Sequence, residues 1–170
     1  MRSCRADMTA VLLALLSAAP ATPCPVELFR IERSKNANVV VYEARPGEKS
    51  PLDPDEPVTA SWILLARDGR RQSLNFFERL MAYGFEVKLG PLAQNARLTL
   101  KALKGRVLRV AQRDGCLAAF GVIAGVETVL KRVFVTTDEH GAAPSVVSIE
   151  LFGVDAVTGE ERSEKLLAGK

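Results

Sequence analysis

Residue types from which active sites are commonly built are scarce in this sequence. Its 170 residues include one histidine, one tryptophan and three cysteines, and aromatic residues make up only 6% of the chain. A Ser-His-Asp triad, a Cys-His pair or a histidine-based zinc site would each have to use the same residue, His140. The chain also lacks a Gly-x-Ser-x-Gly nucleophile elbow and a phosphate loop that ends in Gly-Lys-Ser/Thr. These absences argue against triad hydrolases, metal sites and nucleotide cofactors, and we expect no cofactor.

Charge of one sign is not in strong excess either. Lys and Arg number 23 against 20 Asp and Glu, which gives a formal net charge of +3. Nucleic-acid-binding domains usually carry a dense basic face, so this balance argues against a nucleic-acid partner.

The N-terminus has the three-part layout of a secretory signal peptide. Arg2 and Arg5 precede an apolar run over residues 8–16, and small residues follow over 17–21. A membrane-spanning helix needs about 20 apolar residues, and this run is too short. The sequence therefore predicts that residues 1–21 are a signal peptide and that residues 22–170 are a single exported domain, periplasmic or secreted, without a transmembrane segment.

Two cysteines remain after removal of this leader, Cys24 and Cys116. In an oxidising compartment they can pair and tie the N-terminal segment to the body of the domain. Sequence does not give the Cα separation that a disulfide requires. Two unpaired thiols, with Cys116 buried beside Leu117, therefore stay open as an alternative.

Period-two alternation of apolar and polar residues dominates the mature chain. Phe29 and Ile31, for example, alternate with Arg30 and Glu32, as in a half-buried strand. Runs of this kind recur about every 8–12 residues between turn signals, a spacing typical of antiparallel sandwiches and barrels. The pattern predicts a mainly β fold, an antiparallel sandwich or barrel of about eight to ten short strands.

One segment instead has helical spacing. Ser73 is a plausible N-cap, and Gly84 is a plausible stop. Between them, four apolar residues fall on one face: Leu74, Phe77, Leu80 and Met81. We expect one amphipathic helix packed against the sheet.

Four segments together resemble a known protein family. They read FRIERSKN from Phe29, PVTASWI from Pro57, ERLMAYG from Glu78 and ELFG from Glu150. They are similar to segments of a family of exported bacterial proteins known only as a domain of unknown function, and the likeness covers about residues 27–167. The family has no assigned activity, so the resemblance implies no catalytic residue.

The most informative polar residues gather at the opening hairpin and the helix. Arginine guanidinium groups can bind phosphate or carboxylate through two parallel hydrogen bonds, and an aromatic side chain can pack behind them. The candidate ligand-binding residues are Arg30, Arg33, Asn36, Trp62, Glu78 and Tyr83. The competing interpretation is a polar strand face, a turn and packing aromatics. We predict a non-catalytic binding or structural module of the cell envelope, whose partner is an anionic small molecule or an envelope component.

Two further sets of residues leave alternatives open. A cofactor-independent hydrolase or lyase could use paired carboxylates, drawn from Glu32, Glu78 and Glu150. A second basic set could touch anionic lipid headgroups or envelope polymers, and charges that protect an edge strand explain it equally well. Its members are Arg97, Lys101, Arg106, Arg109 and Arg113.

Overall fold

The computed structural model describes residues 24, 26–80, 82–138, 140 and 145–167. The predicted signal peptide, residues 1–21, lies outside the described residues. Eleven strands, one α-helix and a 3-10 turn at Pro91–Ala93 make up the described chain. The strands are β1 (Glu27–Arg33), β2 (Asn36–Ala44), β3 (Val58–Ile63), β4 (Arg71–Ser73), β5 (Phe85–Leu89), β6 (Asn95–Leu100), β7 (Val107–Arg113), β8 (Cys116–Ile123), β9 (Val126–Asp138), β10 (Ser145–Asp155) and β11 (Glu161–Leu167), and the helix is α1 (Phe76–Leu80). Across these described ranges, no helix is long and apolar enough to cross a membrane.

The strands form a single sheet that curls into a half-barrel. Its order is β4-β3-β2-β1-β9-β8-β7-β6-β5, and β10 pairs with both β9 and β11. The prediction of a mainly β fold is confirmed, but the sheet is mixed rather than purely antiparallel, because β1 runs parallel to β9 from Arg30–Arg132 to Arg33–Val135. Period-two alternation fixes which face a residue occupies but not the direction of its neighbouring strand, so this pairing was not predicted.

The length of β9 explains the curl. Its first residues pair with β8, up to Val129, and its later residues pair with β1, from Arg132 onward. Both partners lie on the same edge of β9, because β10 pairs along the other edge. The sheet therefore divides at β9 into two halves that close over one core.

Aromatic residues from both halves meet in that core. Tyr42 of β2 stacks on Phe29 of β1 with ring centroids 4.6 Å apart, and it makes a T-shaped contact with Phe85 of β5 with centroids 5.6 Å apart. Phe29 and Tyr42 have no exposed surface. Burial also raises the pKa of Tyr42, because the phenolate would lose its hydration.

The helix differs from its prediction. It spans only Phe76–Leu80 and buries none of its residues. Ser73 belongs to β4, and Asn75 caps the helix instead, because its amide oxygen accepts the Glu78 N–H at 2.9 Å while the Glu78 carboxylate accepts the Asn75 N–H at 2.7 Å. This reciprocal capping starts the helix two residues later, and a helix of five residues has no long apolar face to pack. The predicted packed amphipathic helix is therefore wrong; Met81, one of its predicted residues, lies outside the described residues.

Candidate functional site

A disulfide fixes the N-terminal end of the described chain. Cys24 and Cys116 are joined with an S–S distance of 2.09 Å and a Cα separation of 5.2 Å. Cys116 is the first residue of β8. The bridge therefore ties the segment before β1 to the opposite half of the sheet.

The concave side of the half-barrel holds a cleft of about 740 Å³, which we call the basic cleft. Ligand pockets commonly fall between about 300 and 1,000 Å³. The floor of the cleft is apolar and the rim is cationic. The floor is Ile31, Val135, Ile149 and Leu166, and the rim is Arg33, Tyr83, Lys101, Lys104 and Arg106. No Asp or Glu is among the described residues that line it.

Strand register explains the floor. Ile149 of β10 lies opposite Val135 of β9 on one side and Leu166 of β11 on the other. Directly paired residues point to the same face of a sheet, so these side chains form one apolar row. Ile31 and Arg33 are two residues apart in β1 and share a face, which places a cation at the end of the apolar surface.

The rim cations differ in how they are held. Arg33 Nη1 donates to Tyr83 Oη at 3.4 Å, and Lys101 Nζ donates to the Leu80 carbonyl oxygen at 2.9 Å. The ion pairs among the described residues include none with Arg33, Lys101 or Lys104. These three charges therefore have no carboxylate from the described chain to neutralise them.

The fourth cation, Arg106, closes one end of the cleft. Its Nη1 lies 3.0 Å from Glu164 Oε2 on β11 and donates to the Val122 carbonyl oxygen at 2.6 Å. The Ala124 N–H also donates to Glu164 at 2.8 Å. Hydrogen bonds from Arg106 and then from Ala124 lower the pKa of Glu164, because both favour its ionised form.

Tyr83 is held on three sides. Its carbonyl oxygen accepts a hydrogen bond from the Tyr42 hydroxyl at 2.9 Å, and its hydroxyl accepts one from Arg33. Its ring makes a T-shaped contact with Trp62, with ring centroids 5.1 Å apart. Burial raises the pKa of the Tyr83 hydroxyl, and the nearby Arg33 charge partly offsets this. Of the six predicted ligand-binding residues, the structure brings Arg33, Trp62 and Tyr83 together, and it places Arg33 and Tyr83 on the cleft rim.

The other three predicted residues lie elsewhere. Arg30 lines a separate surface cleft, and its Nε lies 2.8 Å from a carboxylate oxygen of Glu27. The Asn36 amide oxygen accepts the Asn38 N–H at 3.0 Å within the opening hairpin, and Glu78 caps α1. These contacts give all three a local structural role.

The carboxylates of the alternative prediction are also paired with cations. Glu32 contacts Arg132 at 3.3 Å, and Glu150 contacts Lys165 at 2.7 Å. Both acids lie opposite Phe134 in adjacent strands, which puts their backbones roughly 10 Å apart with the ring between them.

The remaining acid and the histidine lie away from that row. Glu78 belongs to α1, and His140 is 92% exposed in its side chain. No group of three or more potential metal ligands occurs among the residues that the structure describes. Of these residues, only Glu32 and Glu150 therefore lie in one row across the sheet.

The second basic set does not form one patch. Lys101 and Arg106 belong to the cleft rim, while Arg109 pairs with Glu127 at 2.7 Å and lies 4.4 Å from the Phe120 ring centroid. Arg113 lies 3.5 Å from Asp114. Arg97 is exposed on β6. Lys104 and the floor residues were not predicted from the sequence, because the floor is built from four strands, β1, β9, β10 and β11, and no local motif marks their convergence.

The fold and the cleft define a mixed β half-barrel with an apolar, cation-rimmed cleft on its concave side. A family model described as "Domain of unknown function (DUF4833)" matches residues 29–165, and the chain belongs to this family. This match confirms the predicted membership of a family of unknown function. Comparison with curated proteins and with solved structures yields no match.

Proposed function

We propose that the protein is a non-catalytic binding module of the cell envelope, exported by its signal peptide, and that its basic cleft binds a small amphipathic anion. One observation carries this proposal. An apolar floor and a rim of cations face the same cleft, and none of its described lining residues is acidic.

The two parts of the cleft suit the two parts of such a ligand. Ile149 and Leu166 are half-buried, so a hydrocarbon chain laid on them removes apolar surface from water. At the rim, Arg33 and Lys104 can donate charge-assisted hydrogen bonds to a carboxylate or phosphate. A neutral apolar ligand would leave the rim cations unused, and a small inorganic anion would leave the floor in water.

The disulfide supports the exported location. Disulfides persist in oxidising compartments and are rare in the cytosol. The Cys24–Cys116 bridge has a sequence separation of 92 residues and lies beyond the proposed leader. An intact N-terminal Met1 on protein from the native host's soluble intracellular fraction would contradict this part of the proposal.

Binding can be measured with cis-parinaric acid, a fluorescent fatty acid, and its neutral methyl ester as the comparison. We expect the acid to bind and the ester to bind at least about tenfold more weakly, because a charge-assisted hydrogen bond contributes about 1.5–3 kcal/mol. The double variant Arg33→Ala/Lys104→Ala should lose this preference. Arg97→Ala removes an exposed cation outside the cleft and is the matched control.

A second variant tests the floor. Leu166→Glu places an anion on the edge strand β11 inside the cleft, and it should abolish binding of the acid while thermal unfolding stays cooperative. Equal affinity for the acid and its ester, or unchanged binding by both cleft variants, would rule out the proposed ligand class.

A further inference from the structure

A second surface, next to the basic cleft, has no role in the proposed binding site. The side chains of Phe76 and Phe77 on α1 are 71% and 73% exposed, and that of Leu80 is 49% exposed. The two rings contact each other edge to face, with centroids 5.8 Å apart. We call these three residues the α1 patch. A fully buried aromatic side chain covers about 150–250 Å², so the patch exposes a few hundred Å² of contiguous apolar surface.

The α1 patch is held in place by its surroundings. The Tyr83 N–H donates to the Glu78 carbonyl oxygen at 2.9 Å, and Lys101 Nζ donates to that of Leu80. A Cβ on Gly84 would lie 1.9 Å from the Arg79 carbonyl oxygen, so the chain passes directly beneath the helix. The exposed rings therefore belong to a helical turn whose backbone is held in place by hydrogen bonds.

Two cations lie directly beside the patch. Arg79 is exposed on α1 itself, and Lys101 binds the last carbonyl of the helix. Lys104 and Arg33 continue this charge along the cleft rim. The single acid on the helix, Glu78, is half-buried and uses its carboxylate to cap Asn75. An apolar patch with a basic border is the surface by which interfacial helices bind anionic bilayers.

We propose that the α1 patch docks the protein onto an anionic lipid membrane, with Phe76, Phe77 and Leu80 inserted between headgroups and Arg79, Lys101 and Lys104 against them. Docking by this surface brings the cleft mouth to the bilayer, since Ala82 and Tyr83 lead directly from α1 to the cleft. Lys104 also belongs to the cleft rim proposed to hold the anionic ligand, so the docking test below uses Phe76 and Phe77, which do not line the cleft.

Vesicle cosedimentation of the full chain with its disulfide intact tests this proposal. The vesicles are phosphatidylcholine alone or phosphatidylcholine mixed with phosphatidylglycerol. We expect binding to the mixed vesicles only, weakened by added salt, because surface charges are screened over about 8–10 Å at physiological ionic strength.

The variant Phe76→Ser/Phe77→Ser should reduce vesicle binding by on the order of a hundredfold, about tenfold for each ring that no longer inserts. Both side chains lie outside the core, so its melting temperature should match the wild type. Val157→Ser is the control, because Val157 is 92% exposed in the turn between β10 and β11; it should bind like the wild type.

Three results would overturn the docking surface. In the first, the wild-type protein binds neither kind of vesicle. In the second, the serine variant binds the mixed vesicles as well as the wild type does. In the third, the wild type is a dimer and the serine substitutions dissociate it. The last result would assign the patch to a second copy of the chain. The serine variant should still bind cis-parinaric acid in solution, so failure of membrane docking and failure of the cleft proposal give different results.

Discussion

Replacing Cys24 and Cys116 with serine will lower the free energy of unfolding by about 3–5 kcal/mol. The bridge joins residues separated by 92 positions. In the chain-entropy description, a closed loop of that size removes roughly 15.6 cal/mol/K from the unfolded chain, or about 4.6 kcal/mol at 25 °C. Residual structure in the unfolded chain reduces the effect, which sets the lower end of the range. Domains are stable by only about 5–15 kcal/mol, so the loss is a large fraction of the total.

Urea titration of the oxidised wild type and the Cys24→Ser/Cys116→Ser variant measures this loss from the transition midpoint and slope. Dithiothreitol is the control. It should lower the stability of the wild type to that of the variant and leave the variant unchanged. A loss below about 1 kcal/mol would mean that the closed loop does not constrain the unfolded chain.

Three single substitutions test other parts of the structure. Tyr42→Phe removes the hydroxyl that donates to the Tyr83 carbonyl oxygen at 2.9 Å in the core, and urea titration should show a loss of about 1–2 kcal/mol. Gly153→Ala puts a Cβ 2.4 Å from the Val129 carbonyl oxygen, so β10 must shift, and the same titration should show a loss of about 1–3 kcal/mol. Backbone N–H groups of its own turn lower the pKa of Asp155. Stability should therefore be constant above about pH 5 and fall below it as this carboxylate is protonated. Asp155→Asn should flatten this fall in melting temperature against pH.

For each of these three substitutions, one result would contradict the expected change in stability. Wild-type stability of Tyr42→Phe would mean that the buried carbonyl finds another donor. Wild-type stability of Gly153→Ala would mean that β10 does not approach β9 as closely as described. An acid transition unchanged by Asp155→Asn would place the titrating group elsewhere.

The hairpins were predictable because their signals are local. Asp114-Gly115 and Ala124-Gly125 each have positive φ at both residues, the conformation of the tight turns that join antiparallel strands. Asp114-Gly115 is the pair that the sequence marks most clearly. Alternation on either side then set which residues face the core.

The curl of the sheet and the floor of the cleft were not predictable in this way. The parallel pairing of Arg33 with Val135 joins residues about a hundred positions apart, and alternation does not encode such a partner. Arg33 and Tyr83 were identified as candidates by their chemistry. Lys104 and Leu166 join them only because β11 curls toward the start of β7, where Arg106 meets Glu164.

The helix shows a different limit of prediction from the sequence. A Ser73 cap and four apolar residues at helical spacing favoured a longer, packed helix. The competing cap at Asn75 has an acidic partner three residues later, which is the more complete capping signal. The result is a short helix with exposed phenylalanines.

A crystal structure of the disulfide-bonded protein with a bromine-labelled fatty acid would show directly whether the basic cleft binds an amphipathic anion. We expect an anomalous peak over Ile149 and Leu166, with the carboxylate within hydrogen-bond distance of Arg33 or Lys104. A labelled acid bound at a site away from this cleft, or bound there with its carboxylate turned from both cations, would show that the apolar floor and the rim cations do not form the proposed binding site.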